Sequence, residues 1–234
     1  MMSKSVELIL FDIDGTLLQS HKVTRYGMSI ALKEVFGGDG PIDQYSMSGK
    51  TDPQIMRELM LLNGISDDEI NEKLPQACQL YVKIVCESIS QFDLHTCVGI
   101  PELLRILQRK KHVMLGLLTG NLEGIVEAKL SQAGLWKNIF SVGAFGSDAE
   151  DRNLLPRIAI SRAEKLLQRE IDASLTVLVG DTPRDIGCAR AAGTRIMAVA
   201  TGNYSMEELG EYHPDYLFEN FSDPAPALEA LALS

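Results

Sequence analysis

Residues 7–20 read ELILFDIDGTLLQS, in which an apolar run of strand type ends in two aspartates followed directly by Gly-Thr. The aspartates are Asp12 and Asp14. Taking carboxylates out of water costs free energy unless a hydrogen bond or an opposite charge compensates them. The stretch is therefore either a solvated turn or a place that holds something positively charged.

Further apolar runs of strand type follow along the chain, and helical patterns separate them. We predict six strands, at residues 6–11, 112–118, 139–145, 175–180, 194–200 and 215–218. The third and the last of these are the weaker candidates. Strands that alternate with helices favour a parallel sheet with helices on both faces, a three-layer α/β fold of the Rossmann-like type. Trp136 follows a predicted helix end at Gly134 and is expected to pack there.

Residues 17–96 break this alternation, because they contain helical patterns and no convincing strand. The segment 51–64, TDPQIMRELMLLNG, has a capping residue, a proline near the first helical position and a glycine stop. A longer helix follows, with a break expected at Pro75. We predict a core domain of residues 1–16 and 97–234 and an all-helical cap domain of residues 17–96, inserted after the first strand.

The composition excludes several classes of protein. The chain has 234 residues, 45% of them hydrophobic, which is typical of a folded protein with a core. Its formal net charge of −10 argues against a general nucleic-acid binder. An acidic protein with an anionic substrate needs a local positive charge, such as a metal ion. The four cysteines form no metal-ligand pattern and are expected to be reduced. We find no signal peptide pattern and no membrane-spanning run, and we expect a cytoplasmic protein.

Polar residues follow three of the predicted strands at the points where those strands end. They are Asp12 and Asp14 after the first strand, Thr119, Gly120 and Asn121 after 112–118, and Asp181 and Asp185 after 175–180. Ligands of an open parallel sheet bind outside the carboxyl ends of its strands. Carboxylate oxygens suit Mg²⁺, so these residues indicate a magnesium and phosphate site.

Three of these stretches carry a resemblance to a known family. FDIDGTLL at 11–18, LLTGN at 117–121 and VLVGDTPRDIGCARAAG at 177–193 are similar to three motifs of the haloacid dehalogenase-like hydrolases. The helical insertion resembles the cap that this superfamily places after its first strand. The pattern is most similar to that of the phosphoglycolate phosphatase and beta-phosphoglucomutase-like members.

The resemblance implies a role for each residue. Asp12 matches the nucleophile that forms an aspartyl-phosphate, and Asp14 matches the general acid and base. Mg²⁺ would lie between Asp12, the backbone carbonyl of Asp14 and Asp181, with Asp185 holding its water ligands. Thr119 would bind a phosphoryl oxygen. The alternatives are an ordinary helix N-cap for Thr119 and a first-turn helix aspartate for Asp185.

The chain departs from the family pattern at the third motif, where a lysine is usual ahead of the fourth strand. Lys165 lies about three turns into a helix, which is too late. Arg152, just before that helix, is our candidate for the missing cation, and Arg157 and Arg162 are rivals. Arginine binds a carboxylate and a phosphate in bidentate fashion. The alternative for Arg152 is a surface arginine.

Substrate contacts are expected from both predicted domains. Gly120 and Asn121 follow the second-motif threonine, and Lys50 lies in the segment SGKTD, 48–52, at a helix start of the cap. In the family a comparable cap segment contacts the substrate. A helix-capping loop with a solvated lysine, and a plain turn residue at Asn121, are the alternatives.

The motifs predict a magnesium-dependent phosphatase that acts on a small phosphorylated metabolite, such as a phosphoglycolate-like compound or a sugar phosphate. Asp14 argues against a true dehalogenase, which lacks this second aspartate. A sugar phosphomutase of the beta-phosphoglucomutase type is the main alternative, and a non-catalytic phosphate-binding protein is a weaker one, suggested by the missing lysine. We expect a monomer or small homo-oligomer, with no nucleic-acid or membrane partner.

Overall fold

The computed structural model describes residues 5–135 and 139–233, except for the side chain of His21. Trp136 lies outside the described residues. The main sheet has six parallel strands in the order β5-β4-β1-β6-β7-β8. In chain order the strands are β1 Leu8–Phe11, β2 Leu18–Gln19, β3 His95–Thr96, β4 Met114–Leu118, β5 Val142–Ala144, β6 Thr176–Gly180, β7 Arg195–Val199 and β8 Tyr216–Phe218.

Helices cover both faces of this sheet. They are α1 His21–Phe36, α2 Asp52–Leu62, α3 Asp67–Ser88, α4 Ile100–Leu107, α5 Glu123–Gln132, α6 Leu155–Leu167, α7 Pro183–Ala192, α8 Met206–Gly210 and α9 Ala225–Ala230. The six strands predicted from the sequence all appear, each within the predicted range. The predicted Rossmann-like α/β fold is confirmed.

Strand β1 sits between β4 and β6, and its side chains alternate between the two faces of the sheet. Leu8 and Leu10 pack into the core that lies under α6 and α7. Ile9 and Phe11 pack into the opposite core, which continues into α4, α5 and the helices that precede them. All four side chains are fully buried, so the apolar run before Asp12 fixes the centre of the molecule.

Helices α1, α2 and α3 lie between β1 and β4 in the chain and pack against one another. We call residues 17–96 the helical insertion; the division into two domains at its ends stays a prediction. The break predicted at Pro75 is wrong, because α3 runs through this residue without interruption. Pro75 and Asn71, whose carbonyl loses its helical donor, are both exposed, so water can satisfy that carbonyl.

The sequence predicts no strand within residues 17–96, and this is also wrong. Strands β2 and β3 form an antiparallel pair, with Leu18 opposite Thr96 and Gln19 opposite His95. Each strand has two residues, which is too short for an alternating pattern to be read. The pair brings together the two segments that enter and leave the helical insertion.

In the part of the chain that the structure describes, none of the helices has both the length and the apolar character needed to cross a membrane.

The return from the helical insertion depends on Gly99, which precedes α4. Its φ is +83°, and a Cβ atom there would lie 1.8 Å from the carbonyl oxygen of Phe221. Phe221 is itself fixed, since it is buried and its backbone N–H donates to Val98 O. We expect Gly99→Ala to lower the free energy of unfolding by more than about 2 kcal/mol.

The matched control is Gly37→Ala, because Gly37 has a similar φ of +78° and no atom within 4 Å of the added Cβ. This variant carries only the cost of the left-handed backbone, about 1 kcal/mol. Denaturant unfolding of both variants measures the difference. Equal losses in the two would contradict the close packing of Gly99 against Phe221.

Candidate active site

A cavity of about 300 Å³ lies at the carboxyl ends of β1, β4 and β6, between the sheet and the helical insertion. Nearly all of the site residues predicted from the sequence line it: Asp12, Asp14, Lys50, Thr119, Gly120, Asn121, Arg152 and Asp181. Asp185 is buried just behind this wall. The strand ends therefore bring together residues from three distant parts of the chain, as the parallel sheet predicts.

Asp12, Asp181 and Asp185 form a buried acidic cluster. Each can offer one carboxylate oxygen such that the three atoms lie within 4.8 Å of one another. Asp12 follows β1, and its N–H donates to Val179 O of β6. Asp181 follows β6 and accepts a hydrogen bond of 2.9 Å from Thr16 Oγ1. The ends of the two neighbouring strands thus bring the two carboxylates close together.

The cluster carries more negative charge than its surroundings readily accommodate. Burial raises the pKa of Asp12 to about 6, opposed by Arg152 and reinforced by Asp185. Burial and the repulsion of Asp185 and Asp12 raise the pKa of Asp181 well above its usual range. A hard divalent cation with a preference for carboxylate oxygens would relieve this repulsion. The donor set therefore fits the divalent metal predicted from the sequence.

The side chain of Asp14 points away from this cluster. Both of its carboxylate oxygens accept hydrogen bonds of 2.8 Å from Lys129 Nζ, and Oδ2 also accepts one of 2.5 Å from Asn121 Nδ2. The predicted metal contact of Asp14 involves its backbone carbonyl, so this orientation leaves that prediction open. About a fifth of the side chain, 21%, stays exposed.

Arg152 provides the cation next to the acidic cluster. Its Nη2 lies 2.5 Å from Asp185 Oδ1 and 3.3 Å from Asp12 Oδ1. The two rivals lie elsewhere, since Arg157 is exposed and Arg162 pairs with Asp148 at 2.6 Å. The geometry thus favours Arg152 for the position of the missing lysine. It also removes the reason for the non-catalytic alternative.

Asp185 occupies both of the positions between which the sequence could not decide. Its Oδ2 accepts hydrogen bonds from the N–H and the hydroxyl of Thr182, in a capping box at the start of α7. Its Oδ1 binds Arg152. Asp185 is therefore a first-turn helix aspartate and a member of the acidic cluster at once.

The segment after β4 forms a compact polar turn. The N-cap of α5 is Leu122, so the alternative of Thr119 as this N-cap is wrong. The Thr119 hydroxyl instead accepts hydrogen bonds from the N–H and the side-chain amide of Asn121. A Cβ atom on Gly120 would lie 2.0 Å from Lys50 O. Glycine at this position thus permits the close approach of the helical insertion.

Lys50 lies in the cavity wall, but its charge is already paired. Its Nζ lies 2.5 Å from Glu58 Oε2 and contacts the hydroxyl of Tyr45, which also contacts Glu58. The alternative of a solvated lysine is wrong, because only 12% of the side chain is exposed. Lys50 therefore lines the cavity with its charge already balanced by Glu58.

Arg25 of α1, which also lines the cavity, was missed by the sequence analysis. Its Nη2 donates to Tyr45 O, while Nη1 is buried without a hydrogen-bond partner among the described residues. Lys129 was missed as well, although it falls on the apolar stripe of α5 with Ile125, Val126 and Leu130. A lysine on a buried stripe was the available signal.

Asp52, the third residue that was missed, joins the helical insertion to the core. Its N–H donates to Gly120 O at 2.7 Å, and its Oδ2 accepts from the N–H of Leu122 at 2.9 Å. Asp52 therefore satisfies one N–H at the N-terminus of α5, whose own N-cap supplies no side-chain acceptor. Burial raises the pKa of Asp52 to about 7, against the opposing charge of Lys129.

Known proteins share this fold and sequence pattern. Residues 9–199 match the sequence model of the haloacid dehalogenase-like hydrolases. Phosphoglycolate phosphatase of Synechococcus elongatus is 30% identical over 97% of this chain and 99% of that protein. Pyrophosphatase PpaX of Listeria monocytogenes is 24% identical over 95% and 96%. A variant of CbbY from Rhodobacter sphaeroides, solved with xylulose-(1,5)bisphosphate, has a TM-score of 0.74 at 18% identity over 93% and 96%.

The fold and the acidic cluster define an α/β protein with a polar cavity at the carboxyl edge of a parallel sheet. The match over residues 9–199 and the relative at 30% identity establish the family to which the chain belongs. The chain belongs to the haloacid dehalogenase-like hydrolases, which confirms the predicted family and, with it, the prediction of an enzyme. The likeness to CbbY, at 18% identity, concerns the fold.

The buried carboxyl of Asp52 predicts a pH-dependent stability. Its pKa is 3.8 when unperturbed and about 7 in the folded protein, so folding favours the protonated form. The stabilisation is complete below about pH 4 and is lost as the pH rises through about 7. Asp52→Asn keeps an acceptor for the N–H of Leu122 and cannot ionise. Between roughly pH 5 and pH 8, we expect wild-type stability to fall by about 2 kcal/mol relative to this variant.

Denaturant unfolding at a series of pH values measures this difference. Asp68→Asn is the matched control, since Asp68 is an exposed aspartate in the first turn of α3, and its effect should not change across the same range. A wild-type protein and an Asp52→Asn variant whose stabilities run parallel with pH would show that Asp52 ionises freely in the folded state.

Proposed function

We propose that this protein is a Mg²⁺-dependent phosphatase that hydrolyses a small phosphorylated metabolite through an aspartyl-phosphate on Asp12. The observation that carries the proposal is the meeting of Asp12, Asp181 and Asp185 with Arg152 at one wall of the cavity. A nucleophilic carboxylate, a cation beside it and a metal-binding acidic cluster are what phosphoryl transfer to an aspartate requires.

Asp12 is the residue that attacks phosphorus. The approach of a phosphate dianion to a carboxylate is repulsive, and Arg152, at 3.3 Å from Asp12, offsets part of that repulsion. Mg²⁺ held by Asp12, Asp181 and Asp185 would neutralise the charge that develops on the phosphoryl oxygens. The Thr119 hydroxyl, at the cavity wall, binds one of those oxygens.

Asp14 acts in both halves of the reaction. It donates a proton to the leaving oxygen when the bond to phosphorus breaks, and it takes a proton from the water that hydrolyses the aspartyl-phosphate. Its partial exposure to the cavity allows both contacts. Asn121 binds the same carboxylate, so its contribution is to hold Asp14 in place.

The substrate carries a second anionic group. Arg25 lines the cavity and presents a buried Nη1 that has no hydrogen-bond partner among the described residues. The charge of Lys50, in contrast, is paired with Glu58. A cavity of about 300 Å³ suits a small metabolite. Phosphoglycolate and xylulose bisphosphate, named for two similar proteins, both carry such a group.

The helical insertion, residues 17–96, is the cap domain over a core of residues 1–16 and 97–234. Its contacts with the core close the cavity, since Asp52 binds Gly120 and Leu122, and Thr51 Oγ1 donates to Glu150 O at 2.7 Å. Substrate enters when these contacts open, and closure excludes water other than the attacking molecule. The strands β2 and β3 connect the two bodies.

A phosphate-release screen tests the proposal directly. The panel contains phosphoglycolate, sugar phosphates, xylulose bisphosphate and pyrophosphate, each with Mg²⁺ and with EDTA. We expect turnover with Mg²⁺ on a compound that carries a second anionic group, and loss of turnover in EDTA. Asp12→Asn should leave less than about a thousandth of the wild-type rate, because the amide cannot serve as the nucleophile.

The control is Asp68→Asn, which makes the same chemical change at an exposed position and should retain the wild-type rate. Full activity in metal-free buffer would disprove the metal requirement. Near-normal turnover of Asp12→Asn would disprove covalent catalysis by this residue. Conversion of beta-glucose 1-phosphate to glucose 6-phosphate, primed by a bisphosphate, would identify a mutase instead.

Arg152 should prove necessary for turnover. Arg152→Ala removes the cation that binds Asp12 and Asp185, and we expect a loss of roughly a hundredfold or more in kcat. Arg152→Lys should restore part of it. Arg157→Ala is the matched control, because Arg157 is exposed five residues further on. A crippled Arg157→Ala beside an active Arg152→Ala would mean that the cation has been assigned to the wrong residue.

A further inference from the structure

Lys129 is the one lysine of α5, and none of its surface is exposed. It lies on the apolar stripe of this helix, where Ile125, Val126 and Leu130 are buried as well. Burying an ammonium group costs several kcal/mol unless it is fully paired, and replacing a buried ion pair with apolar side chains is often neutral for stability. Stability alone therefore gives no reason for a lysine at this position.

The Nζ atom of Lys129 has four acceptors from three parts of the chain. It lies 2.8 Å from both carboxylate oxygens of Asp14, 2.6 Å from Asn121 Oδ1 and 2.9 Å from Thr24 Oγ1. Asp14 follows β1, Asn121 follows β4, and Thr24 belongs to α1 of the helical insertion. The ammonium group is thus the common point of the loop after β1, the loop after β4 and the insertion.

Lys129 lies behind Asp14 as seen from the cavity. Asp14, Asn121 and Thr24 line the cavity, whereas Lys129 does not. Asp14 keeps 21% of its side chain exposed while the lysine side chain has none. Lys129 therefore has no route to a substrate and can affect a reaction only through the residues that it binds.

We propose that Lys129 is a positioning residue that fixes the direction of the Asp14 carboxylate. This inference rests on the proposed function of Asp14 as proton donor and acceptor. A carboxylate on a short side chain can rotate. Two hydrogen bonds from one ammonium group, and a third from Asn121, hold it in one orientation with part of its surface open to the cavity. Thr24 completes this arrangement only when the helical insertion lies on the core.

The test is Lys129→Met, which keeps the length of the side chain and removes the charge. The substrate is para-nitrophenyl phosphate, whose leaving group departs with little need for a proton. Formation of the aspartyl-phosphate should then remain fast, while its hydrolysis, which needs Asp14 as base, should slow. We expect a burst of one nitrophenolate per active site, followed by steady-state turnover about 10- to 100-fold below wild type. An alkyl phosphate that needs a proton on its leaving oxygen should show no burst.

The burst separates positioning from a merely structural role. In a protein that is partly unfolded fewer sites react, so turnover falls in proportion, and no burst appears because each folded site still turns over at the wild-type rate. Leu130→Met is the matched control, because it places the same side chain on the same buried face and should keep wild-type turnover without a burst. In an Asp14→Asn background, Lys129→Met should slow turnover by less than about threefold, because its effect passes through Asp14.

Wild-type turnover and absence of a burst in Lys129→Met would overturn the inference while leaving the proposed function intact. Reduced turnover without a burst would assign Lys129 a structural role and also overturn the inference. If the wild-type protein releases no nitrophenolate and no phosphate from the metabolite panel, the proposed function fails and the inference fails with it. Should Lys129→Met not fold, Lys129→Gln, which retains a donor, should show a burst followed by a steady-state rate closer to that of the wild type, and absence of a burst in this variant would overturn the inference.

Discussion

The main constraint on the structure is the repulsion among carboxylates that neighbouring strands bring together in a buried cluster. Asp12 and Asp181 cannot move apart, because β1 and β6 are paired in register and both ends are buried. Burial and the repulsion of nearby carboxylates raise the pKa values of both carboxyl groups. Arg152 supplies one positive charge, and the Thr16 hydroxyl supplies a hydrogen bond. The remaining negative charge would be balanced by a bound cation, so the proposed metal site and the proposed phosphate site lie at the same edge of the sheet.

A second polar network lies beside the first and handles charge differently. Asp14 is only two residues from Asp12, a spacing that would put both side chains on one face of a continuing strand. The strand β1 ends at Phe11, however, and the Asp14 side chain lies against Lys129 and Asn121 instead. The two carboxylates therefore have different neighbours. One faces an arginine and two further acids, and the other faces a lysine and an amide. Since the two side chains are chemically identical, these different surroundings support the proposed roles of Asp12 as nucleophile and Asp14 as proton carrier.

Much of the fold and part of the site could be predicted from the sequence. The apolar run before Asp12 and the helical patterns between strands fix the sheet, and the aspartates at strand ends fix its edge. The pair β2 and β3 could not be predicted, since two residues give no pattern. The helix break predicted at Pro75 is wrong because this side of α3 is exposed, so water can satisfy the carbonyl that loses its donor. Arg25 and Asp52 could not be assigned, since their partners lie about 20 and 70 residues away in the chain.

Lys129 differs from those misses, because its signal was present in the sequence. A lysine at the spacing of Ile125 and Val126 interrupts an otherwise apolar stripe, and such an interruption is costly unless a fixed anion meets it. The sequence supplies no more than the requirement for that anion. Which aspartate meets it depends on where β1 and β4 bring their loops, so the identity of the partner follows from the sheet. The acid that the sequence assigned to proton transfer is the one that the sheet brings to this lysine.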